Sequence, residues 1–174
     1  LNVDKKRIKI IHHGIDVYEK FITTKDQIYT QQLLKNKSPI IITLARLEER
    51  KGHVFILHAI KELKDEYPNI LYLIAGNGPY LNQLKTYISK FDIKMHVKFL
   101  DWITEPEKSL LLKNSDIFAM TPIEVGESVE GFGMAYIDAA FHGIPSIGSD
   151  SGGISDAILE NQTVWLLGES LPIA

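Results

Sequence analysis

Glu130 and Asp138 are two carboxylates eight residues apart, separated by Gly131-Phe132-Gly133 and the opening of an apolar-periodic run. Met134, Ile137 and Phe141 recur at i, i+3 and i+7, which predicts a helix beginning in the glycines. It ends at His142-Gly143, a basic residue in the last turn followed by a C-terminal glycine. Small residues at a helix entrance leave backbone N–H groups free and let a ligand approach the main chain closely. Those amides and the helix dipole favour an anion such as phosphate. Glu130 stands just outside the entrance and Asp138 about two turns along. Carboxylates do not bind phosphate, but they accept hydrogen bonds from sugar hydroxyls. The stretch therefore carries chemistry for two parts of one ligand. A plainer use of the same residues also stands: glycines turning loop into helix, Glu130 complementing the dipole, Asp138 solvated.

A second group is cationic. Arg46 and Lys51 flank a predicted helix over Lys51–Tyr67, where two cations oppose the dipole unless they have a counter-ion. Phosphate would supply one, gripped bidentately by Arg and as a point charge by Lys. Surface pairing with Glu48 and Glu49 is the alternative. Gly76-Asn77-Gly78-Pro79 has the G-x-G of a dinucleotide fingerprint without its third glycine, and reads as a tight strand-to-helix turn. Gly152-Gly153 could offer amides to a ligand or simply turn the chain. Trp102 could stack on a base or sugar, although partial core packing is the commoner fate of Trp. Gly14, after His13, could bring backbone near a ligand or end a strand.

The elements that must position these residues alternate regularly. Ile40 to Leu44 is an unbroken apolar and β-branched run, as expected of a strand buried on both faces. Short strands are predicted at Lys9 to His12, Ile70 to Ala75, Val97 to Leu100, Ile117 to Met120, Ile144 to Gly148 and Val164 to Leu167. Helices are predicted around Gln27–Leu34, over Leu81 to Phe91, up to Asn114, and over Ile154 to Glu160. Thr104 and Glu107 form a capping-box pair with Pro106 in the first turn. Val54, Leu57, Ile60 and Leu63 give the Lys51–Tyr67 helix one apolar face. This alternation predicts an α/β fold, a doubly wound, Rossmann-like parallel sheet. Ligands bind such sheets beyond the carboxyl ends of the strands. Every group singled out above, Gly14 excepted, falls in a loop on that rim.

Composition narrows the classes. A chain of 174 residues, 45% apolar and 24% charged, suffices for one α/β domain and is not disordered. A net charge of −3 without a basic run argues against a nucleic-acid surface. With no cysteine there is neither a disulfide framework nor a thiolate metal site. His12-His13 would point to opposite faces of a strand and make a poor chelate. No apolar run approaches the ~20 residues that span a bilayer, and the N-terminus lacks a signal-peptide core. The expectation is a soluble cytoplasmic domain, and the absence of an initiator Met suggests a piece of a longer protein.

Taken together, the motifs resemble the C-terminal, donor-binding domain of GT-B fold glycosyltransferases of the retaining group 1 family (family 4). Ile11-His12-His13-Gly14-Ile15-Asp16 is similar to the interdomain I-P-N-G-V-D, with Pro and Asn replaced by His. Arg46-Leu47 through Lys51-Gly52 resembles G-R-L-x-x-x-K-G, and Ala75-Gly76-Asn77-Gly78-Pro79 the A-G-x-G-P turn. Glu130 through Asp138 resembles E-x7-E with Asp as its second acid. Asp101 stands where the family usually has Gly. The resemblance implies that Arg46 and Lys51 hold the diphosphate of a UDP-, GDP- or ADP-sugar, and that Glu130 contacts the sugar. Backbone at Gly14, Gly131, Phe132, Gly133 and Met134 would line the donor, with Asp138 on the ribose and Asp101 and Trp102 near the base. No metal and no cofactor are implied: Arg46, Lys51 and the helix-entrance amides, with Glu130, would serve the chemistry. The acceptor, a glycan or lipid-linked hydroxyl, would be held by an N-terminal domain, and a peripheral membrane association would fit. The expected reaction is glycosyl transfer with retention. The alternatives are a sugar-nucleotide 2-epimerase, which shares the fold, and a non-catalytic nucleotide-binding or interaction module.

Overall fold

The computed structural model describes residues 22–126, 128, 130–154 and the backbone of 164–167, together with Arg7 and Lys9. Six parallel strands are β1 (Ile40–Leu44), β2 (Leu71–Ala75), β3 (Val97–Asp101), β4 (Ile117–Ala119), β5 (Ser146–Ser149) and β6 (Val164–Leu167). The α-helices among the described residues include α1 (Thr24–Leu34), α2 (His53–Leu63), α3 (Leu81–Lys90), α4 (Glu105–Lys113) and α5 (Met134–Phe141). The strand order is β3-β2-β1-β4-β5-β6, so the winding direction reverses between β1 and β4. This is the doubly wound sheet expected from the alternation, and its ligand crevice belongs at that reversal.

Strand periodicity divides the core. Ile40 and Ile42 of β1 face one cluster, with Leu71, Leu73, Leu111, Phe118 and Tyr136. Ile41 faces the other, with Tyr72, Ile74, Ile56, Leu57, Leu84 and Ile88. Successive side chains point to opposite faces, so the Ile40-Ile41-Ile42 run feeds both cores at once. The first cluster draws on α4 and α5, and the second on α2 and α3.

Local boundaries differ from expectation where a backbone feature intervenes. The Lys51–Tyr67 helix is a 3-10 turn, Glu49–Lys51, then Gly52 at φ 70°, then α2 from His53. A Cβ at Gly52 would lie 1.7 Å from the carbonyl oxygen of Thr121, so only glycine lets this turn reach the end of β4. The buried face of α2 is His53, Ile56, Leu57 and Ile60; Val54 is only half-buried. In α5 the buried residues are Tyr136 and Ala139, and Phe141 is exposed, so the Met134–Ile137–Phe141 face is not the core face. The Thr104–Glu107 capping box forms as expected and opens α4. Of the predicted Lys9–His12 strand and Ile154–Glu160 helix, only Lys9 and Ile154 fall among the described residues. Among the described residues no helix is long and apolar enough to cross a membrane.

Candidate functional site

The entrance of α5 is built on Gly133, its N-cap, at φ 75°. A Cβ there would meet the Tyr136 ring at 2.8 Å, and one at Gly148 would meet the Tyr136 hydroxyl at 2.9 Å. Tyr136, which the sequence reading passed over, thus wedges between α5 and β5, and its hydroxyl donates to the Met120 carbonyl beyond β4. Burial, and secondarily the charge of Glu130, pushes the Tyr136 phenol far above its ordinary pKa, so it stays a donor. Among the described residues no side chain caps α5. The Tyr136 amide donates to the Gly133 carbonyl at 2.9 Å, and the amides at the Gly133–Met134 entrance are candidates for another partner.

Glu130, three residues ahead of this N-cap, is buried with 9% of its surface exposed. Its Oε2 accepts from Lys51 Nζ at 2.6 Å and from Arg50 Nη1 at 3.0 Å. A buried carboxylate requires such partners. Lys51 therefore finds its counter-ion on a distant element, not in Glu48 or Glu49. Arg46 does pair with Glu48, at 3.2 Å, with its own side chain 72% exposed. The structure thus separates the two cations grouped in the sequence: Lys51 sits at Glu130, and Arg46 lines a neighbouring cavity. Arg50 was missed, since nothing local distinguishes it from its charged neighbours.

That cavity, about 360 Å³, lies at the carboxyl ends of β1, β2 and β3 and is lined by Arg46, Gly76, Asn77, Asp101, Trp102 and Lys108 among others. Trp102 is 86% exposed, so it is not a core residue. Asp101 has φ 51°, a left-handed conformation that Asp tolerates better than most residues. That accounts for Asp where the resembling family has Gly. Asp101 also bends the end of β3, its carbonyl accepting from Gly76 N at 2.7 Å. Gly76 and Gly78 act structurally, as expected: a Cβ would lie 2.0 Å from the Ala45 oxygen or 2.3 Å from the Leu47 oxygen. Gly152 and Gly153 pack on the backbone of Glu130 and Gly131, and Gly153 N donates to the Glu130 carbonyl at 3.0 Å. Gly131 is unlike these, since a Cβ on it would meet nothing within 4 Å among the described residues.

Asp138 accepts from Lys108 Nζ at 3.1 Å, and Lys108 also reaches Glu105 at 3.0 Å. Burial lowers the Lys108 pKa, but hydrogen bonds to Glu105 and Asp138 outweigh it, so the ammonium is held above its ordinary value. Lys108 was not among the expected residues. His142 ties the same two helices: Nδ1 contacts the Asp138 carbonyl at 2.8 Å and Nε2 the Ser109 hydroxyl at 3.0 Å. Gly14 and the His12-His13 pair lie outside the described residues. Among the described residues, no three His, Asp or Glu side chains converge as a metal site would require.

A doubly wound sheet with cations, acids and an open helix entrance on the rim of its strand-order reversal is the design of a nucleotide-binding α/β domain. The family model for glycosyl transferases group 1 matches residues 24–172. A GDP-mannose-dependent alpha-(1-6)-phosphatidylinositol monomannoside mannosyltransferase of Mycolicibacterium smegmatis is 34% identical over 128 residues, covering 72% of this chain and 33% of that protein. Among solved structures, Anabaena Alr3699/HepE in complex with UDP and glucose superposes with a TM-score of 0.70 at 20% identity, covering 84% of this chain and 39% of that one. The C-terminal domain of the group 1 glycosyl transferase LpcC of Francisella tularensis superposes at 0.69 and 16% identity, covering 89% of this chain and 80% of that domain. The chain belongs to the group 1 glycosyltransferase family, and its fold is a Rossmann-like half of the GT-B architecture. It spans about a third of the length of the curated relatives it matches.

Proposed function

We propose that this chain supplies the donor site of a retaining, metal-independent glycosyltransferase acting on a nucleoside-diphosphate sugar. The observation that carries the reading is the buried Glu130–Lys51 pair beside the uncapped, glycine-opened entrance of α5. The diphosphate would sit between Lys51 and the amides at Gly133 and Met134, and Glu130 would accept from the sugar hydroxyls. The base and ribose would occupy the cavity beside Arg46, Asp101 and Trp102, with Asp138 reaching the ribose. During transfer the bond from the anomeric carbon to the phosphate oxygen breaks and a bond to the acceptor oxygen forms. The acceptor proton is released with the diphosphate. The transition state is oxocarbenium-like at the sugar while negative charge grows on the leaving group. Preorganised amides and a partly buried ammonium stabilise that charge more than water does, which is the part a divalent cation would otherwise play. A glycan or lipid-linked hydroxyl is the proposed acceptor, in keeping with the phosphatidylinositol mannoside named for the mycobacterial relative.

The test is calorimetric titration of the chain with UDP, GDP and ADP, first without metal and then with Mg²⁺. One nucleotide should bind without metal, and Lys51→Ala should weaken it about tenfold to a hundredfold, the scale of a lost charge-assisted contact. Binding that requires Mg²⁺ would overturn metal independence, and absence of binding would overturn the donor-site reading.

A further inference from the structure

Arg50 makes two ion pairs that the donor reading leaves unused. Its Nη1 donates to Glu130 Oε2 at 3.0 Å while its Nε pairs with Glu48 Oε2 at 2.9 Å. The other oxygen of Glu48 holds Arg46 at 3.2 Å, and the Arg50 carbonyl accepts from Ile123 N at 2.8 Å in the loop after β4. The guanidinium is thus held on two sides, by Glu48 and Glu130, its backbone is tied to the loop after β4, and 22% of its side chain is exposed. Lys51 reaches the same Glu130 oxygen with a single ammonium on a flexible stem, and among the described residues that is its only ion pair. Two cations on one carboxylate oxygen are more than a single negative charge needs.

We infer that Arg50 is a positioning residue for Glu130, keeping that carboxylate paired and in place when Lys51 turns to the donor's diphosphate. The inference rests on the donor-site reading above. A diphosphate brings a denser negative charge than the carboxylate and competes for the mobile ammonium. Were Lys51 the sole partner, its departure would strand a buried carboxylate, a strongly unfavourable state. Arg50 removes that obstacle, because its planar fork spans Glu48 and Glu130 and does not need to move. Glu130 then meets the sugar hydroxyls as a fixed anion. Arg50 therefore acts on the sugar half of the ligand and not on the phosphate half.

This split is measurable. Affinities of the chain for UDP and GDP are compared with those for UDP-glucose and GDP-mannose, in the unsubstituted protein, Arg50→Gln and Arg50→Lys, with melting curves recorded for each. Arg50→Gln should bind the nucleoside diphosphate within about threefold of the unsubstituted chain and lose about tenfold or more for the matching nucleotide sugar. Arg50→Lys should recover part of that loss, since an ammonium can pair with Glu130 but cannot fork to Glu48. Equal losses on both ligands would make Arg50 another phosphate cation and overturn the inference, as would no loss on either. If the unsubstituted chain binds none of the four, the donor-site reading fails and takes this inference with it. Binding with the wrong pattern in the variants overturns this inference alone.

Discussion

Asp138 is one methylene shorter than the Glu of the motif it resembles, and the structure shows what holds the shorter arm. Lys108 bridges from Glu105 and reaches its Oδ2 at 3.1 Å, so the carboxylate is oriented by α4, the helix facing it. If Asp138 accepts from the ribose hydroxyls, its worth is a charge-assisted hydrogen bond of about 1.5–3 kcal/mol. Asp138→Ala should then weaken nucleoside-diphosphate binding about tenfold to a hundredfold, and should bring the affinities for the ribo and 2′-deoxy forms together. Unchanged preference for the ribo form in that variant would place the ribose elsewhere. At this scale the sequence is informative about residue type and poor about partners. Glu130, Asp138 and Lys51 are singled out as candidates by glycines, spacing and charge. Their partners Arg50 and Lys108 are not, because each contact closes a loop of tens of residues: Arg50 to Glu130 is 80 positions, and Lys108 to Asp138 is 30. Only the packing of β1 against β4, and of α4 against α5, brings them together.

At the scale of elements, the strands were legible because β-branched runs bounded by turn residues have few other uses. Each of the six strand predictions from Ile40 onward matches the structure to within two residues at its ends. Helix faces were less legible. In α5 the stripe Met134–Ile137–Phe141 has the right period, yet Tyr136 is the buried anchor because its hydroxyl has a carbonyl to reach at Met120. In α2 the left-handed Gly52 starts the helix two residues later than a periodicity argument places it. The glycines now separate into two kinds. Gly52→Ala would drive a Cβ to 1.7 Å from the Thr121 oxygen in a left-handed backbone, and should cost about 3 kcal/mol or more. For a chain of this size that lowers the melting temperature by roughly 10 °C. Gly131→Ala meets nothing within 4 Å among the described residues, so its melting temperature should stay within about 1–2 °C of the unsubstituted chain's. Its nucleotide-sugar affinity should nevertheless fall about tenfold, because the donor must approach that backbone closely. Loss of stability without loss of binding in Gly131→Ala would reassign it to the turn.

At the scale of the whole molecule, one residue couples the site's neighbourhood to the stability of the sheet. His53 opens α2 directly after Gly52 and is fully buried, and neither ring nitrogen has a hydrogen-bond partner among the described residues. Burial, with a smaller contribution from the charge of Lys51, lowers its pKa from 6.5 to about 4. The unfolded chain therefore binds this proton first. The stability held by neutral His53 is complete above pH 6.5 and is lost as pH falls from there towards 4. The full span is worth about 3 kcal/mol, most of it gone near pH 4.5. A buried, unpartnered imidazole also costs desolvation that an apolar side chain of similar volume avoids. His53→Leu should accordingly melt at the same temperature or a few degrees higher at pH 7, and roughly 5–10 °C higher than the unsubstituted chain at pH 4.5. Carboxylates paired in the fold destabilise both proteins on acidification, so the quantity to read is the difference between the two melting curves. That difference should open between pH 6.5 and 4 and then level off. Parallel curves across this interval would mean that water or a local opening reaches the imidazole and that its proton is not excluded from the native state. A gap that opens over this interval would identify His53 as an acid-sensitive element of the fold, one placed two residues from Lys51 at the site's edge.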